Sequence, residues 1–225
     1  MKPLSECRLY AFVDTAYLHG RPPGEVAQQL CDGGADVIQL RAKQCPLAEV
    51  RRLAEAILPA TRRAGVPLVI NDYLSLAQDL GAEFCHLGQE DFFGARHTHV
   101  SQLSSSGPRV GIGLSTHSQA QAERALAAGP DYLGVGPVYL TATKPEAQPI
   151  ARDYLRWAVE HVRVPWFAIG GINLENLDEV LAAGVRRICV VSAILNAADL
   201  AATCRKFKER LAAAGSHHAR GQRGV

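Results

Sequence analysis

The chain has no CxxC pair, no HExxH signature and no glycine-rich turn after its first β-branched run. Each gap closes off a class of protein. The six cysteines (Cys7, Cys31, Cys45, Cys85, Cys189 and Cys204) are widely scattered, which argues for reduced thiols and against a disulfide framework. The eight histidines have no zinc-ligand spacing, with His97 and His99 in a polar stretch and His217 and His218 near the end, so a zinc site is not expected. Long apolar runs are also missing. The first, Leu9 to Val13, stops at Asp14, far short of a signal peptide or of the roughly 20 residues a membrane helix needs. The expectation is a cytoplasmic protein with no membrane partner. Net charge is only +2, too little for a general basic field, so no nucleic acid is expected as partner and any anion site must be local.

What is present is ample core material: 48% hydrophobic and 20% charged residues over 225 positions, enough to exclude global disorder. Two textures alternate along the chain. Short β-branched runs predict strands near Leu9–Asp14, Ala35–Arg41, Pro67–Asn71, Glu83–Leu87, Arg109–Ser115, Asp131–Val138, Pro165–Ile169 and Arg187–Val191. Longer Ala/Leu/Glu/Arg stretches predict helices near Pro22–Cys31, Leu47–Ala64, Leu74–Asp79, Ala95–Leu103, Ser118–Ala128, Ile150–His161, Leu174–Ala182 and Leu200–Ala213. The fourth helix is the poorest, because His97, Thr98, His99 and Ser104–Ser106 are weak helix formers.

Segments such as "AGVPLVI", "LGAEFCHL" and "AAGVRRICVV" place Gly between helix and strand, as a left-handed helix end followed by a short loop requires. Eight units of about 28 residues suit an α/β fold of the parallel (β/α)8 TIM barrel type. Near-continuous apolar strands such as "DVIQL" fit a parallel sheet covered on both faces. An open doubly wound sheet would carry a Gly-rich fingerprint in the first βα turn, and "AFVDTAYLHG" has none. Residues 1–213 are read as one barrel domain and the polar stretch 214–225 as a disordered tail.

In such barrels chemistry sits where strands end. Gln39, Arg41 and Lys43 in "QLRAK" are spaced by two and face one side of an extended segment. Facing the barrel mouth, two cations need compensation, either a bound polyanion or a neighbouring carboxylate. Asn71 and Asp72 end the third strand, and His86, Gln89, Glu90 and Asp91 follow in and after the fourth. Asp72 and Asp91 form a natural pair for Mg2+, which favours carboxylate and phosphate oxygens; helix N-capping is the plainer alternative. Glu90 reads as a solvated neighbour, Ser118 as a helix cap and His117 as a packed or surface histidine. Ser115 ends the fifth strand and can donate to phosphate. Thr141, Thr143 and Lys144 make a hydroxyl-rich basic loop suited to a phosphate or a pyrophosphate leaving group. Gly170, Gly171, Val191 and Ser192 follow strands seven and eight, where barrels commonly cradle a phosphate. The sum is two anion sites: a monophosphate on loops seven and eight, and a pyrophosphate with Mg2+ on loops two to six.

Those segments, with "INDYLSLAQDLGAEFCHLGQED", "GIGLSTHS", "DYLGVGPVYLTATK", "FAIGGINLENLDEVLAAG" and "ICVVSAI", resemble the thiamine phosphate synthase family in order and spacing, from about Leu9 to Leu195. The resemblance implies a (β/α)8 barrel that couples hydroxymethylpyrimidine pyrophosphate to hydroxyethylthiazole phosphate. It implies that Arg41, Lys43, Ser115 and Lys144 hold the pyrophosphate and that Asp72 and Asp91 hold Mg2+. Gln39, Asn71 and His86 would line the pyrimidine pocket. Thr141, Thr143, Gly171, Val191 and Ser192 would bind the thiazole phosphate.

Four departures from the family pattern stand out: Tyr73 in place of Arg, Ser75 in place of Asp, a longer Phe92–Pro108 segment, and Ala151 near a position usually Gly. The competing reading within the same fold is a thiazole tautomerase-like isomerase, an enzyme that resembles the synthase but carries a His where this chain has Pro137. A non-catalytic precursor-binding protein would have lost a lysine or aspartate of the set, and none is lost. A sugar-phosphate epimerase would not need the Arg41, Lys43 and Lys144 cluster. The sequence leaves a homo-oligomer open.

Overall fold

The computed structural model describes residues 2–103, 108–141 and 148–221, with side chains as far as 214. Eight parallel strands close into a barrel in sequence order: β1 (Leu9–Asp14), β2 (Val37–Arg41), β3 (Leu68–Asn71), β4 (Phe84–Leu87), β5 (Gly111–Thr116), β6 (Tyr132–Val135), β7 (Trp166–Ala168) and β8 (Ile188–Val190). β8 returns to pair with β1 through Tyr10 and Cys189. The main helices are α1 (Pro23–Asp32), α2 (Leu47–Ala64), α3 (Leu74–Leu80), α4 (Gln119–Ala127), α5 (Arg152–His161), α6 (Leu177–Ala182), α7 (Ser192–Leu195) and α8 (Leu200–Gly221).

Successive strand residues point to opposite faces, which sorts the chain into two cores. Leu9, Ala11 and Val13 of β1, like Ile38 and Leu40 of β2, are buried under the helices, the alternate positions facing the barrel axis. Inside, the rings of Tyr10 and Tyr132 meet Phe167 edge to face at 5.2 and 5.9 Å, the favoured aromatic geometry. Two glycines in β5 make room for this layer. A Cβ at Gly111 would lie 2.4 Å from the Phe84 ring, and one at Gly113 would lie 2.1 Å from Cζ of Tyr132. The helix ends behave as the sequence pattern requires: Gly65 and Gly81 close α2 and α3 with φ of 66° and 64°.

Three helix expectations need correction. The stretch Ala95–Leu103 is not an α-helix; a π-type turn, Glu90–Gly94, precedes it and its last four residues, Val100–Leu103, form a 3-10 turn. The cause is local competition for backbone donors. Oε1 of Gln102 accepts from the amides of Thr98 (2.7 Å) and His99 (3.1 Å), and Nδ1 of His99 accepts from the amide of Ser101. Similarly, α6 starts at Leu177 and not at Leu174, because Oδ1 of Asn173 accepts from the amides of Glu175 and Asn176. The short helix α7 was not expected at all. Finally, α8 runs on to Gly221, past residue 214 where the sequence reading placed a disordered tail. Its alanine-rich run at 212–214 favours helix and carries the backbone on.

All six cysteines are free. Among the described residues no helix is long and apolar enough to cross a membrane.

Candidate active site

A cavity opens at the carboxyl ends of the strands, and its lining follows the inward parity strand by strand. Phe12, Gln39, Arg41, Asn71, His86, Ser115, Tyr132, Ile169, Cys189 and Val191 all reach it, with Lys43, Asp72, Asp91 and Ser192 from the loops that follow. The register explains the convergence: Asp14 lies opposite Arg41, Asn71 opposite His86, and Ser115 opposite Gly134. Most of the expected site residues therefore meet at one rim. Thr143 and Lys144 lie outside the described residues, while Thr141 is placed in the cavity wall.

Among the described residues, Arg41 and Lys43 at the rim each have a carboxylate partner. Arg41 donates to Oδ2 of Asp14 at 2.8 Å, and Lys43 donates to Oδ2 of Asp72 at 2.6 Å. The first pair is the carboxylate alternative considered for "QLRAK". Asp14 is almost wholly buried and also accepts from the amide of Ala16, so its position is set by two contacts. Asp14 is not among the candidates the motifs offer, although its inward parity at the end of β1 is a usable signal.

Asp72 sits in the left-handed region with φ of 70°, a conformation Asp tolerates better than most side chains. Its amide donates to the carbonyl of His86 at 2.9 Å, which ties loop three to β4. Asp91 is exposed in the turn after β4 and accepts from the amide of Gly88 at 3.1 Å. Burial, and then the Asp72 and Asp91 carboxylates, push the Cys85 thiol pKa up. They are hard oxygen donors on adjacent loops, a set that suits Mg2+ supplemented by phosphate oxygens and water. The charges agree: two described rim cations, Arg41 and Lys43, face three carboxylates, Asp14, Asp72 and Asp91.

Deeper in, the polar side chains form a connected string. Nε2 of Gln39 donates to Oη of Tyr10 at 2.7 Å, and Tyr10 shares a hydrogen bond with Tyr132 at 3.0 Å. Tyr132 meets Nδ1 of His86 at 3.0 Å, and Nε2 of His86 meets Oγ of Ser115 at 2.9 Å. Burial pushes the His86 pKa down to about 4, an effect offset by Asp91 and reinforced by His117 and Lys43, so the ring is neutral near pH 7. Burial also drives both tyrosines well above their ordinary range. Tyr10 and Tyr132 were not among the sequence candidates, because an inward tyrosine in a strand reads as core.

On the far side, Gly170 and Gly171 take φ of 103° and 66°. They were expected to let backbone approach a phosphate. The structure shows a packing reason as well: a Cβ at Gly170 would lie 2.3 Å from Pro137, and one at Gly171 would lie 2.6 Å from the carbonyl of Leu140. Loop six lies directly on the glycines, its Val138 and Tyr139 amides donating to the carbonyls of Ile169 and Gly170. Val191 and Ser192 stand at the start of α7, beside Gly171 in the cavity wall. His117 also lines the cavity, its Nδ1 held 2.5 Å from the carbonyl of Gly136. Ser118 caps α4 as expected, accepting from the amide of Gln121, and Glu90 is exposed.

A closed parallel barrel whose strand ends gather cations, carboxylates and a glycine-rich loop is an enzyme of the phosphate-handling (β/α)8 class. Residues 9–194 match the family model described as thiamine monophosphate synthase. The thiamine-phosphate synthase of Herpetosiphon aurantiacus is 45% identical over 201 residues, covering 89% of this chain and 94% of that protein. That of Thermus thermophilus is 47% identical over 182 residues, covering 80% and 84%. Among solved structures, the thiamine phosphate pyrophosphorylase from Pyrococcus furiosus superposes with a TM-score of 0.82 at 30% identity, covering 95% of this chain and 99% of that one. The chain belongs to the thiamine monophosphate synthase family.

Proposed function

We propose that the chain couples hydroxymethylpyrimidine pyrophosphate to hydroxyethylthiazole phosphate, giving thiamine phosphate and pyrophosphate. The observation that carries this reading is the convergence of Arg41, Lys43, Asp72, Asp91 and Ser115 from four strand ends on one cavity, with Gly171 and Ser192 across it.

The pyrimidine pyrophosphate enters with its diphosphate toward Arg41, Lys43 and Ser115, the group to which the family resemblance also assigns Lys144. As the methylene C–O bond breaks, its electron pair leaves with the pyrophosphate, and the electron-rich aminopyrimidine holds the positive charge. Arg41 and Lys43 offset the charge that builds on the leaving group, which is stabilisation specific to the transition state. The thiazole nitrogen then donates its lone pair to the methylene carbon, held for that attack by a phosphate anchored at Thr141, Thr143, Gly171, Val191 and Ser192. Gln39, Asn71 and His86 line the pyrimidine side. The aromatic floor of Tyr10, Phe12 and Tyr132 excludes the water that would otherwise trap the cation. Asp72 and Asp91 would hold Mg2+, which when bound neutralises charge on the diphosphate. Lys43, now paired with Asp72, would be released toward the pyrophosphate. An isomerase of this fold would need an acid–base group where Pro137 stands. The reading carries with it a reducing, cytoplasmic setting, which six unpaired thiols suit.

The test is direct. Purified protein mixed with both precursors and Mg2+ forms thiamine phosphate, EDTA stops it, and excess Mg2+ restores it. Asp91→Ala and Lys144→Ala each lower turnover by ~10²-fold or more at saturating substrate. No product from the wild type, or near-normal turnover in both variants, would reject the assignment.

A further inference from the structure

We propose that the string Gln39–Tyr10–Tyr132–His86–Ser115 is a one-way hydrogen-bond relay that points the Ser115 hydroxyl hydrogen into the cavity as a fixed donor. Tyr10 and Tyr132 are then positioning residues for Ser115, which lies at the other end of the string from Gln39. The direction of the string is independent of the reaction assigned above; its consequence for turnover rests on that reading.

The number of hydrogens available fixes the direction of the string. Tyr10 and Tyr132 are 1% exposed and Gln39 is 3% exposed, so none of their polar atoms can rely on water. Each tyrosine hydroxyl has one hydrogen to give and lone pairs to receive. Nε2 of Gln39 can only donate, so Oη of Tyr10 must accept at that contact. Tyr10 then gives its own hydrogen to Tyr132, its other partner at 3.0 Å. Tyr132 has accepted, and it passes its hydrogen to Nδ1 of His86. An acceptor Nδ1 forces the neutral Nε2–H tautomer, and Nε2–H donates to Oγ of Ser115 at 2.9 Å. Ser115 has now received, and its own hydrogen is left for the cavity that the side chain lines.

The competing arrangements fail on the same count. An imidazolium, or the Nδ1–H tautomer, would donate to Tyr132. Tyr132 would have to turn its hydrogen to Tyr10, which would then accept from both Tyr132 and the Gln39 amide and leave its own buried hydrogen without a partner. Reversing the whole string requires rotating the Gln39 amide so that its oxygen meets Tyr10. The Gln39 amide therefore sets the polarity at one end, and a hydroxyl at the opposite wall reads it. A serine with a free rotor would spend part of its time accepting. Here its donor state is prepared before an anion arrives, which removes a reorganisation cost from the reaction.

Tyr132→Phe removes the hydrogen that Nδ1 receives while keeping the ring that packs on Tyr10, Phe84 and Phe167. Two measurements test the relay on the full-length protein. First, long-range 1H–15N correlation at neutral pH, with His86 assigned by comparison with His86→Asn, shows the Nε2–H pattern in the wild type and a shift toward Nδ1–H in Tyr132→Phe. Second, a double-mutant cycle is read from kcat. Tyr132→Phe alone costs about tenfold, the loss expected when a donor to a charged group is misdirected. In a Ser115→Ala background the same change costs less than about twofold, because the two residues act through one bond. A packing defect would cost the same in both backgrounds. An Nδ1–H or imidazolium pattern for His86 in the wild type overturns the relay, and so does an equal Tyr132→Phe cost in both backgrounds. An Nε2–H pattern in a wild-type protein that makes no thiamine phosphate upholds the relay and removes the functional reading instead.

Discussion

Asp14 shows how much a single position can mean that its own neighbours in sequence do not disclose. It closes β1, is 1% exposed, and its carboxylate meets both Arg41 and the amide of Ala16. An ionised group in that place is tolerated only because it is paired. Arg41 in turn is held at the rim by a partner 27 residues earlier, so that its remaining N–H groups face the cavity in a fixed direction. Asp14→Asn keeps the shape but removes the charge. It lowers unfolding free energy by about 1.5–3 kcal/mol in urea titrations, the range for losing a hydrogen bond to a charged group. It also raises KM for the pyrophosphate substrate, since Arg41 loses its orientation, while KM for the thiazole phosphate stays unchanged. At this scale the chain was legible where strand parity sufficed: Gln39, Arg41, Asn71, His86 and Ser115 were all read as rim residues, and all line the cavity. It was illegible for partners. Parity says that Arg41 points inward, but only the β1–β2 register says that Asp14 stands opposite.

Elements were read better than their edges. Leu47–Ala64 and Leu9–Asp14 coincide with α2 and β1 because long amphipathic spacing and a continuous apolar run leave little choice. Ala95–Leu103 failed because single side chains, Gln102 and His99, captured the amides a helix would use. Strand β5 adds a different constraint. Its sequence GIGLST is poor strand material by propensity, yet Gly111 and Gly113 are required by the rings of Phe84 and Tyr132 packed against them. Gly113→Ala would set a Cβ 2.1 Å from Cζ of Tyr132, so the ring must move. We expect a loss of about 1–3 kcal/mol by chemical denaturation, the usual range for overpacking. Turnover falls with it, because Tyr132 shifts away from His86. A stable, fully active Gly113→Ala protein would mean that the aromatic layer is looser than the contacts indicate.

For the molecule as a whole, the barrel is closed at its amino-terminal end by Asp36. Its carboxylate accepts from the amides of Arg8 and Leu9, from Lys2, and from Lys208 of α8, joining the first and last segments of the chain. Burial pushes the Asp36 pKa up, but Lys208, the Leu9 and Arg8 amides and Lys2 outweigh it and hold the group below the ordinary carboxylate range. A depressed folded pKa contributes stability above the ordinary carboxylate value, near ~4, and loses it as pH falls through the folded value. Asp36→Asn therefore costs about 2 kcal/mol near neutral pH, and the difference from wild type shrinks once pH drops below about 4. Urea midpoints at the two pH values measure it, and a difference that grows in acid would contradict the assignment.

What the amino-acid order determined alone was periodic or local: eight βα units, the residues that face inward, and the motif set that resembles one family. These follow from spacing within a few residues, where the alternation of a strand and the turn of a helix allow one outcome. Tertiary structure decided which inward groups touch. The Asp14–Arg41 and Lys43–Asp72 pairs and the five-residue string to Ser115 join positions 27 to 122 residues apart. Their contacts depend on register and on closure of the sheet, and neither is written in any one segment.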